Sequence, residues 1–94
     1  MIEWTAQAVE QLDRAHDYIA LSNCPEVAGK ITLRIVASIQ QLNEFPMSGR
    51  RGRVPGTREL VISNTPFLAA YAIDRQRIVI LALYHGAQRW PEAF

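Results

Sequence analysis

Apolar positions keep a helical period as far as Phe45 and a strand period after Thr57, so the chain divides into a helical first half and a β second half. Ile2 and Trp4 alternate around Glu3 and stop at Thr5. This is a short strand feeding a helix whose free N–H groups the threonine hydroxyl can cap. Ala8, Leu12, Ala15 and Ile19 then recur at helical spacing, with Val9 and His16 on the flanks and Glu10, Asp13, Arg14 and Asp17 mostly outward. The first helix ends near Ser22. In Ser22-Asn23-Cys24-Pro25-Glu26 the proline suits the first turn of a new helix, and Glu26 suits its positive dipole end. The second helix follows Ala28, Ile31, Ile35, Ile39, Leu42 and Phe45 and stops at Pro46, which disfavours helical backbone in the residue before it. So short a break makes the pair an antiparallel hairpin.

Between Pro46 and Thr57, Gly49, Gly52, Pro55 and Gly56 alternate with Arg50, Arg51 and Arg53, a composition that predicts a mobile, exposed, basic loop. Leu60-Val61-Ile62 is a β-branched run closed by Asn64-Thr65-Pro66. Phe67 to Ile73 places Phe67, Ala69, Tyr71 and Ile73 on one face, and Asp74-Arg75-Gln76 is the next turn. Ile78 to Leu83 is apolar on both faces, the pattern of a central strand. Helices cover one face only. An exposed row of Val79, Leu81 and Leu83 would therefore need the chain's own apolar tail, Trp90, Pro91 and Phe94, or a partner as cover. The expected fold is one α+β domain over residues 1–94. It has a short N-terminal strand and an antiparallel two-helix hairpin packed on an antiparallel three- to four-stranded sheet, in which consecutive strands pair.

At 94 residues the chain has enough material for one hydrophobic core, and 49% hydrophobic with 20% charged residues excludes a disordered protein. The single cysteine, Cys24, forms no internal disulfide, and no paired Cys or His spacing marks a zinc site; neither metal nor cofactor is expected. No signal-like segment opens the chain and no stretch is long enough to span a bilayer, which predicts a cytoplasmic protein. Net charge is only +1, but its distribution is uneven. The first half carries Glu3, Glu10, Asp13, Asp17, Glu26 and Glu44 against Arg14, Lys30 and Arg34. From Pro46 onward Arg50, Arg51, Arg53, Arg58, Arg75, Arg77 and Arg89 outweigh Glu59, Asp74 and Glu92. Every basic residue except Lys30 is arginine, whose planar fork grips carboxylate or phosphate with two parallel hydrogen bonds.

The arginines thus predict a face that binds an anionic counterpart, with Arg50, Arg51, Arg53, Arg58, Arg77, Arg89 and Trp90 as its candidate residues. With Tyr84 and His85 at a strand end, the same group also holds the residue types that RNA cleavage by its own 2′-hydroxyl requires: a base, an acid and a cation for the phosphate. Tyr84 and His85 are neighbours in a strand, however, and face opposite ways unless the strand bulges; at most one of them can share a pocket with Arg58. The plainer reading has His85 capping the strand and the arginines in solvated pairs with Glu59 and Glu92. Gly49-Arg50-Arg51-Gly52-Arg53 could clamp nucleic acid, but no aromatic residue interleaves the arginines for base stacking. His16 reads as a half-buried helix residue, and Trp4, Tyr18, Phe45, Phe67 and Tyr71 as core or core edge.

Three stretches resemble the RelE/ParE family of bacterial type II toxins. They are Ile2-Glu3-Trp4-Thr5 leading into Ala8-Val9-Glu10-Gln11-Leu12; Val54-Pro55-Gly56-Thr57-Arg58-Glu59-Leu60-Val61; and Ile80-Leu81-Ala82-Leu83-Tyr84-His85-Gly86-Ala87-Gln88-Arg89-Trp90-Pro91. The resemblance implies a growth-inhibiting toxin with a helical hairpin on an antiparallel sheet, silenced by a co-encoded antitoxin that drapes over it. RelE-like members cut messenger RNA on the ribosome, and Arg58 and His85, with Tyr84, stand where such roles could fall. ParE-like members inhibit DNA gyrase without cutting RNA, and the Pro55-Gly56-Thr57-Arg58-Glu59-Leu60 stretch and the scarcity of lysine are similar to that branch. The expectation is therefore a toxin acting by binding to gyrase. Ribosome-dependent cleavage is the rival, and an inert member kept for complex formation is a third possibility.

Overall fold

The computed structural model describes residues 1–86. The expected tail of Trp90, Pro91 and Phe94, together with Arg89 and Glu92, lies outside them. Strand β1 (Ile2–Trp4) leads into helix α1 (Ala6–Ser22), helix α2 (Pro25–Gln40) and a 3₁₀ turn (Gln41–Asn43). Strands β2 (Arg50–Arg51), β3 (Arg58–Val61), β4 (Phe67–Asp74) and β5 (Arg77–His85) follow. The sheet order is β1-β5-β4-β3-β2, with β1 parallel to β5 and the remaining pairs antiparallel. This is the expected hairpin-on-sheet architecture with one strand added, because Arg50 and Arg51 pair with β3.

Thr5 joins three elements. Its Oγ1 accepts from the Ala8 N–H at 3.1 Å and so caps α1. The same hydroxyl lies 3.0 Å from the carbonyl of Ile80 and 3.2 Å from that of Leu81, while its own N–H donates to Ile80 at 3.1 Å. Pro25 opens α2 with Cys24 at its N-cap position, as the break in the sequence requires. Helix α2 tightens into the 3₁₀ turn after Gln40, so the helical run expected to reach Phe45 ends earlier. Phe45 consequently leaves the core and is 62% exposed; Tyr18 on α1, at 67%, is likewise a surface residue and not the core aromatic its type suggested.

The core lies between the hairpin and one sheet face. Ile19, Ile35, Ile39 and Leu42 meet Ile62, Phe67, Tyr71, Ile78 and Ile80, with Trp4 and Leu12 at the margin. Each fully buried aliphatic chain contributes roughly 1.5–3 kcal/mol. On β5 the register jumps: Ala70 faces Ala82, but Tyr71 faces Ile80. Leu81 is therefore an extra residue that reverses the alternation beyond it. Leu83 joins the helix-side core, whereas Ala82 and Tyr84 pack with Ala70 on the other face. The row of Val79, Leu81 and Leu83 expected from strict alternation is broken for that reason. Helix α1 serves the displaced backbone, since Gln11 Oε1 accepts from the Leu83 N–H at 2.8 Å.

The segment 46–57 is pinned, contrary to the mobile loop its composition predicted. The buried Tyr71 phenol donates to the Pro46 carbonyl at 2.8 Å and accepts from the Gly49 N–H at 2.9 Å. Arg58 Nε donates to the Gly49 carbonyl at 3.0 Å, and its Nη2 to that of Met47 at 3.1 Å. Glu59, only 2% exposed, accepts from Arg50 Nε at 3.1 Å and from the Arg53 N–H at 3.0 Å.

Removing the phenol leaves two backbone groups without their partner, so Tyr71→Phe should lower unfolding free energy by about 2–3 kcal/mol in urea titrations; an unchanged midpoint would mean the segment is not held this way. Two glycine replacements should move stability in opposite directions. A Cβ at Gly49 would stand 2.5 Å from Tyr71 Oη and 2.9 Å from the Glu59 carbonyl, whereas one at Gly29 on α2 meets nothing within 4 Å. In paired urea melts Gly49→Ala should cost about 1–3 kcal/mol and Gly29→Ala should stabilise by about 0.5–1 kcal/mol.

Candidate functional site

The strand geometry sorts the arginines onto different surfaces. In β2 neighbouring side chains point to opposite faces. Arg50 pairs with Glu59 on the face of Ala70, and Arg51 pairs with Arg58 on the face of Tyr71. Arg51, Arg53 and Arg58 border one shallow depression of about 690 Å³, together with Met47, Pro55 and Ile73. Arg50 belongs to the Glu59 contact, where its Nη2 also lies 3.1 Å from the carboxylate. Arg77 stands at the β4–β5 hairpin, bonded to Asp74 at 3.0 Å and within 3.4 Å of Glu3. The Asp74 hydrogen bond, and after it the Glu3 charge, raise its affinity for the proton further. The expected single arginine face is thus divided in three, because β2 turns Arg50 away from Arg51 and because Arg77, two strands from Arg58 on β5, is taken up by Asp74 and Glu3. Arg89 and Trp90 lie outside the described residues.

Tyr84 and His85 lie apart from this depression. His85 follows Leu83 onto the helix side, where its ring meets Phe67 edge-on at 5.6 Å between centroids and 83° between planes. It lines a second depression with Gln11, Arg14, Tyr18 and Phe67, of about 380 Å³. Tyr84 packs with Ala70 and Ala82. Burial pushes its phenol above the usual range, with a hydrogen bond to Gln11 pulling more weakly the other way. Arg58 is opposite Tyr71 and His85 opposite Phe67, four residues along β4 and two strand spacings apart. Their Cα atoms are therefore on the order of 16 Å apart, from about 3.3 Å per residue and about 4.8 Å per strand. The structure does not bring them to one phosphate.

His16 is half-buried on α1, its Nδ1 3.6 Å from Asp17. Among the described residues no group of three or more His, Cys, Asp or Glu is placed to hold a metal ion. Sequence reading missed Met47 and Ile73, which share the arginine depression, and Gln11 and Tyr18, which line the His85 one. An exposed apolar residue beside a glycine-rich basic run was the available signal for Met47. Nothing in the local pattern marked the other three.

Comparison with known proteins agrees with this architecture. The family model described as the ParE toxin of the type II toxin-antitoxin system parDE matches residues 2–90. The chain is 38% identical over 91 residues to a protein of Sinorhizobium fredii (strain NBRC 101917 / NGR234) named "Putative toxin Y4kP", covering 97% of this chain and 93% of that protein. It superposes with a TM-score of 0.83 and 30% identity on a solved chain from the "Chromosomal ParDE TA system from P. aeruginosa", over 89% of this chain and 92% of the other. A match along nearly the whole length, on the same hairpin and sheet, places this chain in the ParE toxin family of type II toxin–antitoxin systems.

Proposed function

We propose that this toxin arrests growth by binding DNA gyrase in the cytoplasm, that it cuts no RNA, and that a co-encoded antitoxin holds it silent. The observation that carries the reading is the separation of Arg58 from His85. An RNA-cleaving site needs its cation and its acid or base within hydrogen-bond reach of one phosphodiester. Here Arg58 spends Nε and Nη2 on loop carbonyls, His85, two strands away, rests edge-on against Phe67, and Tyr84 packs on Ala70 and Ala82. A binding mechanism asks for none of these groups to meet. It asks for a firm surface with an uneven charge pattern, which the pinned 46–57 segment supplies. The kinship with ParE toxins supports the antitoxin partner, and the gyrase target is what the resemblance to ParE-like members implies. Among the described residues no helix is long and apolar enough to cross a membrane, which is compatible with action at the nucleoid. An antitoxin segment that is disordered when free and folds on docking would suit such a toxin, because it can cover a wide surface and still be removed by proteolysis.

Brief induction of the chain should trigger the SOS response while transcript ends remain intact, and the purified protein should block supercoiling by gyrase. His85→Ala should stay toxic to within about twofold, since the histidine does no chemistry in this reading. Codon-specific cuts in ribosome-bound messages, abolished by His85→Ala, would overturn it.

A further inference from the structure

Among the described residues three adopt left-handed backbone: Gly56 at φ 82°, Asn64 at φ 62° and Arg75 at φ 60°. Glycine has no Cβ to clash, and asparagine tolerates the region better than other side chains. Arginine has neither advantage. Asp74 pairs with Arg77 across β4 and β5, so Arg75 and Gln76 form the two-residue turn between the strands. Where such a turn has positive φ only at its first central residue, glycine is the usual choice, because the conformation brings a Cβ close to the following carbonyl oxygen. The arginine is kept at a cost in stability. Nothing inside the fold offsets it: Arg75 is exposed and makes no hydrogen bond, ion pair or ring contact among the described residues. Asp74, its neighbour, is bonded to Arg77 at 3.0 Å, and Arg77 also lies 3.4 Å from Glu3 on β1. Those ties fasten the hairpin to the next strand, so the turn is firm while its guanidinium is left unopposed. Strain retained where folding gains nothing points to work done on another molecule.

We propose that Arg75 is an anchor that this toxin inserts into a carboxylate-lined recess of its target protein, with the β4–β5 turn as the part that enters. The inference rests on the reading that the toxin acts by binding gyrase, and it names the contact that does so. A planar guanidinium donates two parallel hydrogen bonds to a carboxylate. In a recess the pair is cut off from water, the setting in which one arginine carries a large share of a binding energy. Nucleic acid fits less well, because Glu3, Asp74, Arg75 and Arg77 together carry no net charge and the turn lacks the positive field that holds a polyanion. Met1 adds apolar surface of the kind protein interfaces favour. It is 75% exposed and stands beside the start of β5, where its carbonyl accepts from the Ile78 N–H at 2.9 Å.

The test compares variants of the full chain in growth arrest on induction and in binding to immobilised gyrase free of DNA, followed by surface plasmon resonance. Arg75→Gly relieves the backbone, so its urea midpoint should hold or rise. Its affinity for gyrase should nevertheless fall about tenfold or more, and growth arrest should be lost at equal expression. Loss of activity without loss of stability separates an anchor from a residue of the fold. Gly29→Ala, a stabilising change on α2, should bind within about twofold of the unaltered chain. Arg75→Glu should bind more weakly than Arg75→Gly, because it sets carboxylate against carboxylate. The proposal fails if Arg75→Gly binds and arrests growth like the unaltered chain, if its urea midpoint falls, or if Arg75→Glu binds as well as Arg75→Gly. Binding that requires DNA would move the contact to phosphate and overturn it equally. Arg75-dependent growth arrest by a chain that does not bind gyrase would instead sink the gyrase reading and leave the anchor in place on another target.

Discussion

A carboxylate withdrawn from water governs the functional half of this molecule. Glu59 is almost wholly buried in a four-residue strand, where an unpaired charge would be untenable. Its two oxygens are met from across the hairpin by the Arg50 guanidinium and the Arg53 N–H. Because breaking a buried pair costs far more than the pair itself contributes, Arg50 and Arg53 are held close to β3 wherever the chain is folded. That closure draws the glycine-rich segment onto the sheet, where the Tyr71 phenol and Arg58 satisfy its remaining backbone groups. Arg51 is placed by consequence. With Arg50 turned in toward Glu59, strand alternation obliges Arg51 to face the other side.

The arginines therefore serve different ends despite being neighbours in sequence. Arg50 neutralises a buried acid, Arg58 ties down two carbonyls, and Arg77 bridges β1 to the Asp74 hairpin through Glu3. Arg51 is left with surplus charge, and the depression it borders is rigid because its neighbours are structurally committed. A toxin acting as proposed, by occupation rather than catalysis, would benefit from such stiffness, since a partner that docks on a fixed surface loses only its own freedom. Preorganisation of this kind suits both a target protein and an antitoxin.

A single extra residue in β5 has comparable reach. Leu81 is accommodated because the Thr5 hydroxyl approaches its carbonyl and Gln11 takes the Leu83 N–H. Beyond it inward and outward positions are exchanged. His85 comes to rest on Phe67 beneath α1, and Tyr84 on the alanine pair Ala70 and Ala82. The polar contacts of α1 thus decide which strand-end side chain faces the helices, and with it the distance between the histidine and the arginines.

The two helices, their break at Pro25, the meander of β3 to β5 and the threonine cap were legible in the linear pattern, because each depends on local period, backbone restriction or capping chemistry. So was the kinship carried by the opening strand, the Pro55-Gly56 stretch and the last strand. Other features were not. The bulge at Leu81 depends on partners more than seventy residues away in sequence, at Thr5 and Gln11. The ordering of 46–57 depends on Tyr71 and Glu59 reaching back over a segment whose glycines, taken alone, signify freedom. Tyr18 and Phe45 were read as core because aromatic rings favour burial, but the turn of α1 and the early end of α2 direct them to water. Composition established that arginines would be plentiful, while only the pairing of β2 with β3 decided which of them would be consumed inside the fold and which would remain at its surface.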